Sequence, residues 1–368
     1  MAVRRKRATG GQMDMLQALL GPTDSPLVGA ARSERTLMVW SFFALSKEHT
    51  TELPVYDDGR VRIEVVGTKH GVATMLDKDV LVYAIGLLQD RVARGEAPSR
   101  TVSFRAADFF VRTGRTVCGT AYDWLEQSLD RLKGTVVKTN MEVGDDEGQQ
   151  DGGGSERTGR RRGRTKGFSW ISDYEFGYVT EGSDGEKQIS SIVVELHEWV
   201  YKLLTNNGKI LDYSNGYFDL SLLGRRLYEL ARAHATAQAP SFRINLERLR
   251  LLAGSSAELK EFRRMLQKTA GQNGLPLIDY GYQVIDPAAE TARAVGAEKK
   301  GRTPLKAYEV VFFHKSVRDV ALANPLDVPP LPSGSVATSS MTVGGWNHNG
   351  THRTHRPEWP ASRRIWAS

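Results

Sequence analysis

The spacing of apolar residues changes in the same order twice along the chain, over residues 103–141 and 245–285. Each stretch begins with apolar residues at helical spacing, passes a tight turn, continues as a longer amphipathic helix and ends in a β-prone run. This is the order of elements in a winged helix-turn-helix. The pattern therefore predicts an α+β fold with two winged helix-turn-helix domains in tandem.

In the first copy, Phe104 and Phe110 belong to a predicted short helix, and residues 112–119 supply a turn with two glycines. A longer helix is predicted from about Thr120 to Lys133, with leucines recurring on one face. The period at which apolar residues recur then changes from 3.6 to 2 residues over 135–141, which predicts a strand and the start of a wing.

In the second copy, apolar residues over 244–252 predict a short helix, and Ala253–Ser256 form the turn. A longer helix is predicted from about Ala257 to Ala270, whose outer face gathers cations. Residues 275–286 and 307–315 are β-prone and predict the two strands of a hairpin wing.

The rest of the chain divides around these copies. We expect a disordered basic tail over 1–35, a first winged-helix domain over 36–185, a second over 186–320 and a disordered tail over 321–368. Residues 143–167 are low in complexity, acidic first and then basic, and predict a disordered wing loop of the first domain.

Supporting elements are predicted on both sides of the loop. In the first domain these are strands within 55–67 and 71–75 and a helix from Val80 to Val92, capped by Asp77 or Asp79. In the second domain a helix over 221–234 is expected to point Arg225, Arg226 and Arg232 outward.

Composition narrows the class of partner. The formal charge of +7 and the pI near 9.4 favour a polyanion, and 40% hydrophobic residues suffice for packed cores. No apolar run approaches the roughly 20 residues that cross a bilayer. Cys118 is the only cysteine, so no internal disulfide can form; we expect a buried thiol and a reducing cytoplasm.

The predicted interface is with double-stranded DNA. Helix side chains that reach base edges are candidate base readers, and other cations are candidate phosphate contacts. The candidate base readers of the second copy are Lys260, Arg263 and Arg264, and those of the first copy are Thr120, Asp123 and Gln127. Gln267 shares the outer face of the second helix and is a further DNA-binding candidate. The remaining DNA-binding candidates are Arg115, Thr116, Arg131, Lys133, Lys138 and Lys268, together with Arg160, Arg161, Arg162 and Arg164 in the loop.

Enzyme signatures are missing from the sequence. Gly208-Lys209 lacks the preceding glycine and the following hydroxyl residue of a P-loop, and no histidine pair with a tyrosine suggests a nicking site. His352 and His355 have metal-like spacing but fall in the predicted disordered tail. We therefore predict no catalytic residue, no metal and no cofactor, with a nicking enzyme or relaxase as the alternative from another class.

Several segments resemble the replication initiator protein A family of bacterial plasmids. They are VYDDGRVRIEV (55–65), GVATMLDKDVL (71–81), AYDWLEQSLDRLKGTVVKT (121–139), FSWI (168–171) and LGRRLYELARAH (223–234), within a likeness from Phe43 to His314. The resemblance implies two winged-helix domains that bind repeated origin sequences, or iterons.

It further implies opening of adjacent A+T-rich DNA, recruitment of host initiation proteins and helicase, and an equilibrium between initiating monomers and repressing dimers. A winged-helix repressor that only binds an operator would share the same DNA-reading residues and remains the alternative.

Overall fold

The computed structural model describes residues 22–45, 49–97, 99–141, 165–181, 186–205, 209–270, 276–299 and 301–331. Its helices are α1 (Arg35–Val39), α2 (Lys78–Ala93), α3 (Ala106–Arg112), α4 (Gly119–Gly134), α5 (Glu198–Thr205), α6 (Leu222–His234), α7 (Leu246–Ala253), α8 (Leu259–Ala270), α9 (Pro287–Ala294) and α10 (Arg318–Ala323). Its strands are β1 (Arg32–Glu34), β2 (Tyr56–Asp57), β3 (Arg62–Val66), β4 (Thr101–Phe104), β5 (Val136–Thr139), β6 (Lys166–Phe168), β7 (Ile171–Glu181), β8 (Glu186–Leu196), β9 (Ile210–Asp212), β10 (Ser241–Asn245), β11 (Tyr280–Ile285) and β12 (Glu309–His314).

Two parts of the chain repeat one frame. The first frame runs α2, β4, α3, α4, β7, β8, and the second runs α6, β10, α7, α8, β11, β12. In each frame the last strand lies in the middle of a three-stranded antiparallel sheet. Its neighbours are the strand before the short helix and the other strand of the hairpin, so the sheets have the orders β4-β8-β7 and β10-β12-β11. The predicted helices α3, α4, α7 and α8 are present, and the whole is a mixed α+β fold.

The first frame encloses an aromatic core. The Tyr83 ring of α2 lies 5.3 Å from Phe104 and 5.4 Å from Phe109, measured between centroids. Phe104 ends a strand instead of lying in the predicted short helix, because its register opposite Ile192 places it in the sheet. The leucines of α4 are buried against this core, which fixes which face of α4 is exposed.

The second frame is covered on both faces of its sheet. Phe312 stacks on Phe242 at 5.0 Å, and the Tyr282 hydroxyl on the same face donates to the Leu266 carbonyl of α8 at 2.6 Å. On the opposite face, Val311 and Phe313 pack with Ala321 and Val328. Since successive strand residues point to opposite faces, this two-sided burial explains the continuous apolar run of β12.

In both frames the turn between the short and the long helix contains a glycine with positive φ. Gly114 follows α3 with φ 69°, and Gly254 follows α7 with φ 71°. A Cβ at Gly254 would lie 2.0 Å from the Ser41 hydroxyl oxygen. The second turn therefore needs glycine both for its backbone and for the space beside Ser41.

The structure corrects the position of the wing in the first copy. The predicted wing strand, β5, pairs with β3 and β6 in a separate four-stranded sheet of order β2-β3-β5-β6. The hairpin that occupies the corresponding place in the first frame is β7–β8. Residues 142–164, most of the predicted wing loop, lie outside the described residues; β5 is the last strand before them and β6 the first strand after them.

Other boundaries shift for similar reasons. Residues 71–75 form isolated bridges at Gly71 and Thr74 instead of a strand. Strand β8 begins where we placed the second domain, yet its partners are β4 and β7 of the first frame. Residues 22–35 and 321–331 of the predicted tails are ordered: β1 pairs with β9, and Leu331 is buried, whereas 1–21 and 332–368 lie outside the described residues.

Candidate DNA interface

Helix α8 places a cationic face at the surface of the second frame. Phe262 and Leu266 are fully buried and set the inner side of the helix. The opposite side exposes Lys260, Arg264, Gln267 and Lys268, all predicted DNA-binding residues. Gln267 and Lys268 form no hydrogen bond or ion pair with any residue that the structure describes, so their polar ends are available to a ligand.

Two arginines of α8 are held by contacts within the protein. The Arg263 guanidinium lies 4.6 Å from the centroid of the Tyr308 ring, on the flank of the helix that faces the segment leading into β12. Arg264 donates to both carboxylate oxygens of Glu261 at 2.8 and 2.7 Å, and this hydrogen bonding raises the pKa of Arg264. Its side chain is 71% exposed, so the pair is weak and can open to a stronger anion.

A second group of cations lies in the connection between β11 and β12, which the sequence analysis did not single out. It consists of the partly or fully exposed residues Arg293, Lys299, Arg302 and Lys306. Lys299 pairs with Asp286, and Lys306 lies 3.1 Å from Glu247. The run of lysines and arginines beside a predicted hairpin was the signal that would have found them.

Helix α4 of the first frame offers a different surface. Thr116, Thr120 and Gln127 are exposed as predicted, but Asp123 and Glu126 are exposed beside them. The Asp130 carboxylate accepts from the Tyr174 hydroxyl at 2.6 Å. The start of this face can offer hydrogen-bond acceptors to a base, and its exposed cation, Lys133, lies at the other end of the helix.

Arg115 and Arg131, which we predicted to meet phosphates, are structural. Arg131 donates to both oxygens of Asp77 at 2.8 and 2.7 Å, and Asp77 is fully buried. Arg115 donates to the buried Asp79 at 2.6 Å and lies 4.2 Å from the centroid of the Trp124 ring. Both guanidiniums hydrogen-bond buried carboxylates, so the structure gives them a structural role instead of the predicted phosphate contact.

Lys133 and Lys138 remain at the surface. The Lys133 ammonium lies 2.7 Å from Asp173, and that of Lys138 lies 2.8 Å from Glu64. Both lysines are about half exposed, so these pairs contribute little to stability and leave the cations able to exchange partners. Arg160, Arg161, Arg162 and Arg164 lie outside the described residues.

Asp77, Lys78 and Asp79 form a buried charged run at the start of α2. They are at most 1% exposed. Asp77 precedes the helix but makes no side-chain cap; it accepts instead from the Thr74 amide at 2.7 Å and from Arg131. The run therefore binds other segments of the protein and does not cap its own helix.

Arg225 and Arg226 of α6 complete this network, although we predicted them to face outward; Arg232, predicted outward with them, is half-buried and donates to the Asp212 carbonyl at 3.2 Å. Arg225 donates to both oxygens of Asp79 at 2.8 and 2.7 Å. Lys78 donates to Glu229 at 2.7 Å, and burial lowers the pKa of Lys78 to about 8. Arg225 and Arg226 are 5% and 2% exposed, because α6 is surrounded by other elements along most of its length.

The cysteine also differs from its prediction. Cys118 is exposed at the start of α4, not buried, and a hydrogen bond with the Thr120 hydroxyl lowers its thiol pKa. Among the described residues no cluster of His, Cys, Asp or Glu has the makings of a metal site, and no helix combines the length and the apolar character that a membrane crossing needs.

Comparison with known proteins identifies relatives. The family model for "Replication initiator protein A" matches residues 32–281. A "Putative replication protein" from Wigglesworthia glossinidia brevipalpis is 30% identical over 263 residues, which cover 71% of this chain and 88% of that protein.

Among solved structures, RctB domains 2 and 3 resemble this chain with TM-scores of 0.47 and 0.45 in two crystal structures. Sequence identity is 17% and 16%, and the matches cover 74% and 76% of this chain and 94% and 96% of the RctB chains. At these identities the likeness says nothing of function.

Proposed function

This chain belongs to the replication initiator protein A family, and we propose that it starts plasmid replication by binding repeated origin sequences, or iterons, through two winged-helix units. The units are the two frames, with α4 and α8 as their recognition helices and the hairpins β7–β8 and β11–β12 as their wings. The proposal includes opening of adjacent A+T-rich DNA and recruitment of host initiation proteins and helicase.

The observation that carries this proposal is the exposed cationic face of α8 on a duplicated helix-turn-helix frame. A recognition helix enters the major groove, where arginine and lysine favour guanine and glutamine favours adenine. Lys260, Arg264, Gln267 and Lys268 supply these groups from one side of one helix. The cations between β11 and β12 would meet phosphate beside them.

The two units would contribute unequally to DNA binding. The face of α4 supplies Thr120, Asp123 and Gln127, which suits adenine or an acceptor contact to cytosine but leaves phosphate binding to neighbouring segments. We therefore expect α8 to dominate affinity and α4 to contribute base preference. We also propose that the chain works by binding alone, without hydrolysing ATP or cleaving DNA.

Binding is tested by fluorescence anisotropy with duplexes from the DNA flanking the gene, at several salt concentrations. The Lys260→Ala/Lys268→Ala variant should lower the slope of log affinity against log salt by about 1 for each phosphate that the protein no longer neutralises. A matched variant removes two lysines on other elements, Lys69→Ala/Lys202→Ala, and should keep the wild-type slope. Equal slopes for both double variants would contradict the assignment of α8.

Initiation is tested on a supercoiled origin plasmid. Permanganate should detect unpaired thymines next to the bound repeats only when the protein is added, since A+T-rich steps are the cheapest to deform. Occupied repeats without protein-dependent reactivity, even with host initiation factors, would favour an operator-binding repressor. A protein-dependent nick would instead indicate a nicking enzyme.

A further inference from the structure

The carboxylate of Asp79 joins the two frames. Arg115, in the turn of the first frame, donates to its Oδ2 at 2.6 Å, and Arg225 of α6 donates to both of its oxygens at 2.8 and 2.7 Å. The side chain of Asp79 is fully buried and that of Arg225 is 6% exposed. Because water is excluded, the geometry of these charge-assisted bonds is strongly preferred over alternatives.

The next residue of α6 continues the connection into the second frame. Arg226 donates through Nε to the carbonyl of Leu252, in the last turn of α7, at 3.1 Å. It also donates to the carbonyls of Met38 and Val39 at the end of α1. One helix thus carries adjacent arginines of which Arg225 binds Asp79, the partner of Arg115 in the first turn, and Arg226 binds the end of α7, just before the second turn.

We propose that Arg225 is a positioning residue that fixes the two helix-turn-helix units at one separation, so that the protein accepts only duplexes whose two contact sites have one spacing. The inference rests on the proposed function, in which both units contact the same duplex. Buried ionic contacts are costly to desolvate, and their best-attested use is to specify one geometry.

Spacing on DNA is a rotation as well as a distance. Each inserted base pair turns the second contact site by about 35° around the helix axis, so about five base pairs move it to the opposite side. Two units held rigidly cannot follow that rotation. Two units joined by a yielding contact can follow part of it.

The chain offers a matched pair of variants. Arg225→Gln and Arg115→Gln each remove one of the two guanidinium partners of the same carboxylate, but of the two only Arg225→Gln removes a contact between frames. The Lys78–Glu229 bond between α2 and α6 stays in both variants. The probes are duplexes selected by the wild-type protein from a library with 40 random base pairs (roughly four helical turns). Between the two segments protected in a hydroxyl-radical footprint, one to six base pairs are then inserted (on the order of half a turn).

Wild type and Arg115→Gln should lose about tenfold or more in affinity when the insertion reaches half a turn. Arg225→Gln should bind the selected spacing less tightly and vary by about threefold or less across the insertions. Arg225→Lys keeps the charge but loses the two-pronged geometry, and should also flatten the profile. Arg225→Lys takes the place of Arg225→Gln in this test if Arg225→Gln fails to fold.

An unchanged, steep profile in folded Arg225→Gln or Arg225→Lys would overturn the inference while leaving two-site binding intact. Flattening by Arg115→Gln to the same degree would overturn it too, because the effect would then come from general loosening around Asp79. A single protected segment with wild-type protein would refute the two-headed binding of the proposed function, and the inference with it.

Discussion

Replacing Arg131 tests whether this cation of α4 stabilises the fold or binds DNA. Its guanidinium holds both oxygens of Asp77, at 2.8 and 2.7 Å, and only 16% of its side chain is exposed. Replacing it with glutamine would leave the buried carboxylate with the amide and hydroxyl of Thr74, at 2.7 and 2.9 Å. Those two neutral donors stabilise the charge only in part.

The expected cost follows from burial. Removing one partner of a buried ion pair typically costs about 3–5 kcal/mol. Because the Thr74 donors remain, we expect Arg131→Gln to lower the free energy of unfolding by about 3 kcal/mol, near the lower end of that range. Lys133→Gln breaks an exposed pair two residues later and should cost far less, because solvent screens that pair.

Urea unfolding followed by tryptophan fluorescence measures both variants. Adding Asp77→Asn to Arg131→Gln should recover part of the loss, since it removes the unpaired charge. The salt slope of DNA binding should stay at the wild-type value. The reasoning would be refuted by an Arg131→Gln protein as stable as Lys133→Gln, or by one whose salt slope drops by about 1.

Three further outcomes are expected. Phe262→Ala should lower the free energy of unfolding by about 3–5 kcal/mol, measured in urea, because the ring is fully buried on the inner side of α8. Burial lowers the pKa of His234 from 6.5 to about 3, so only the unfolded chain takes up this proton between those values, and stability falls as the pH drops. Unfolding in urea should register a loss of about 2 kcal/mol between pH 7 and pH 5, absent in His234→Phe and retained in the exposed control His49→Gln. Neutralising the arginines of 160–164 should reduce the salt slope for specific and random duplexes alike, leaving their affinity ratio unchanged.

Local periodicity was enough to predict helix α8 and the orientation of its faces. The apolar stripe of α8, formed around Phe262 and Leu266, specifies which side faces the core and therefore which cations face solvent. The same logic found α4 and the hairpin β11–β12. These features depend on residues a few positions apart, which a single sequence displays directly.

Partners far apart in sequence could not be predicted this way. The alternating pattern of β5 correctly indicated a strand, but its sheet is decided by β3, more than 70 residues earlier. Arg225 lies on the polar side of α6 by helical spacing, yet a carboxylate 146 residues away draws it inside. Periodicity assigns polar residues to the surface. A polar residue can nevertheless be buried where a partner compensates for its desolvation, and periodicity does not reveal a partner that is distant in sequence.

The charged run at the start of α2 also bears on how the chain is made. Asp79 leaves the ribosome 146 residues before Arg225, and Lys78 leaves it 151 residues before Glu229. At bacterial synthesis rates this gap lasts roughly 7–30 s. Throughout that time the nascent first half carries an ammonium and a carboxylate destined for burial without their later partners, with Arg115 as the guanidinium partner of Asp79 within that half. We therefore expect the first frame to complete its fold only after α6 is translated, although every strand of that frame has been synthesised before Leu222.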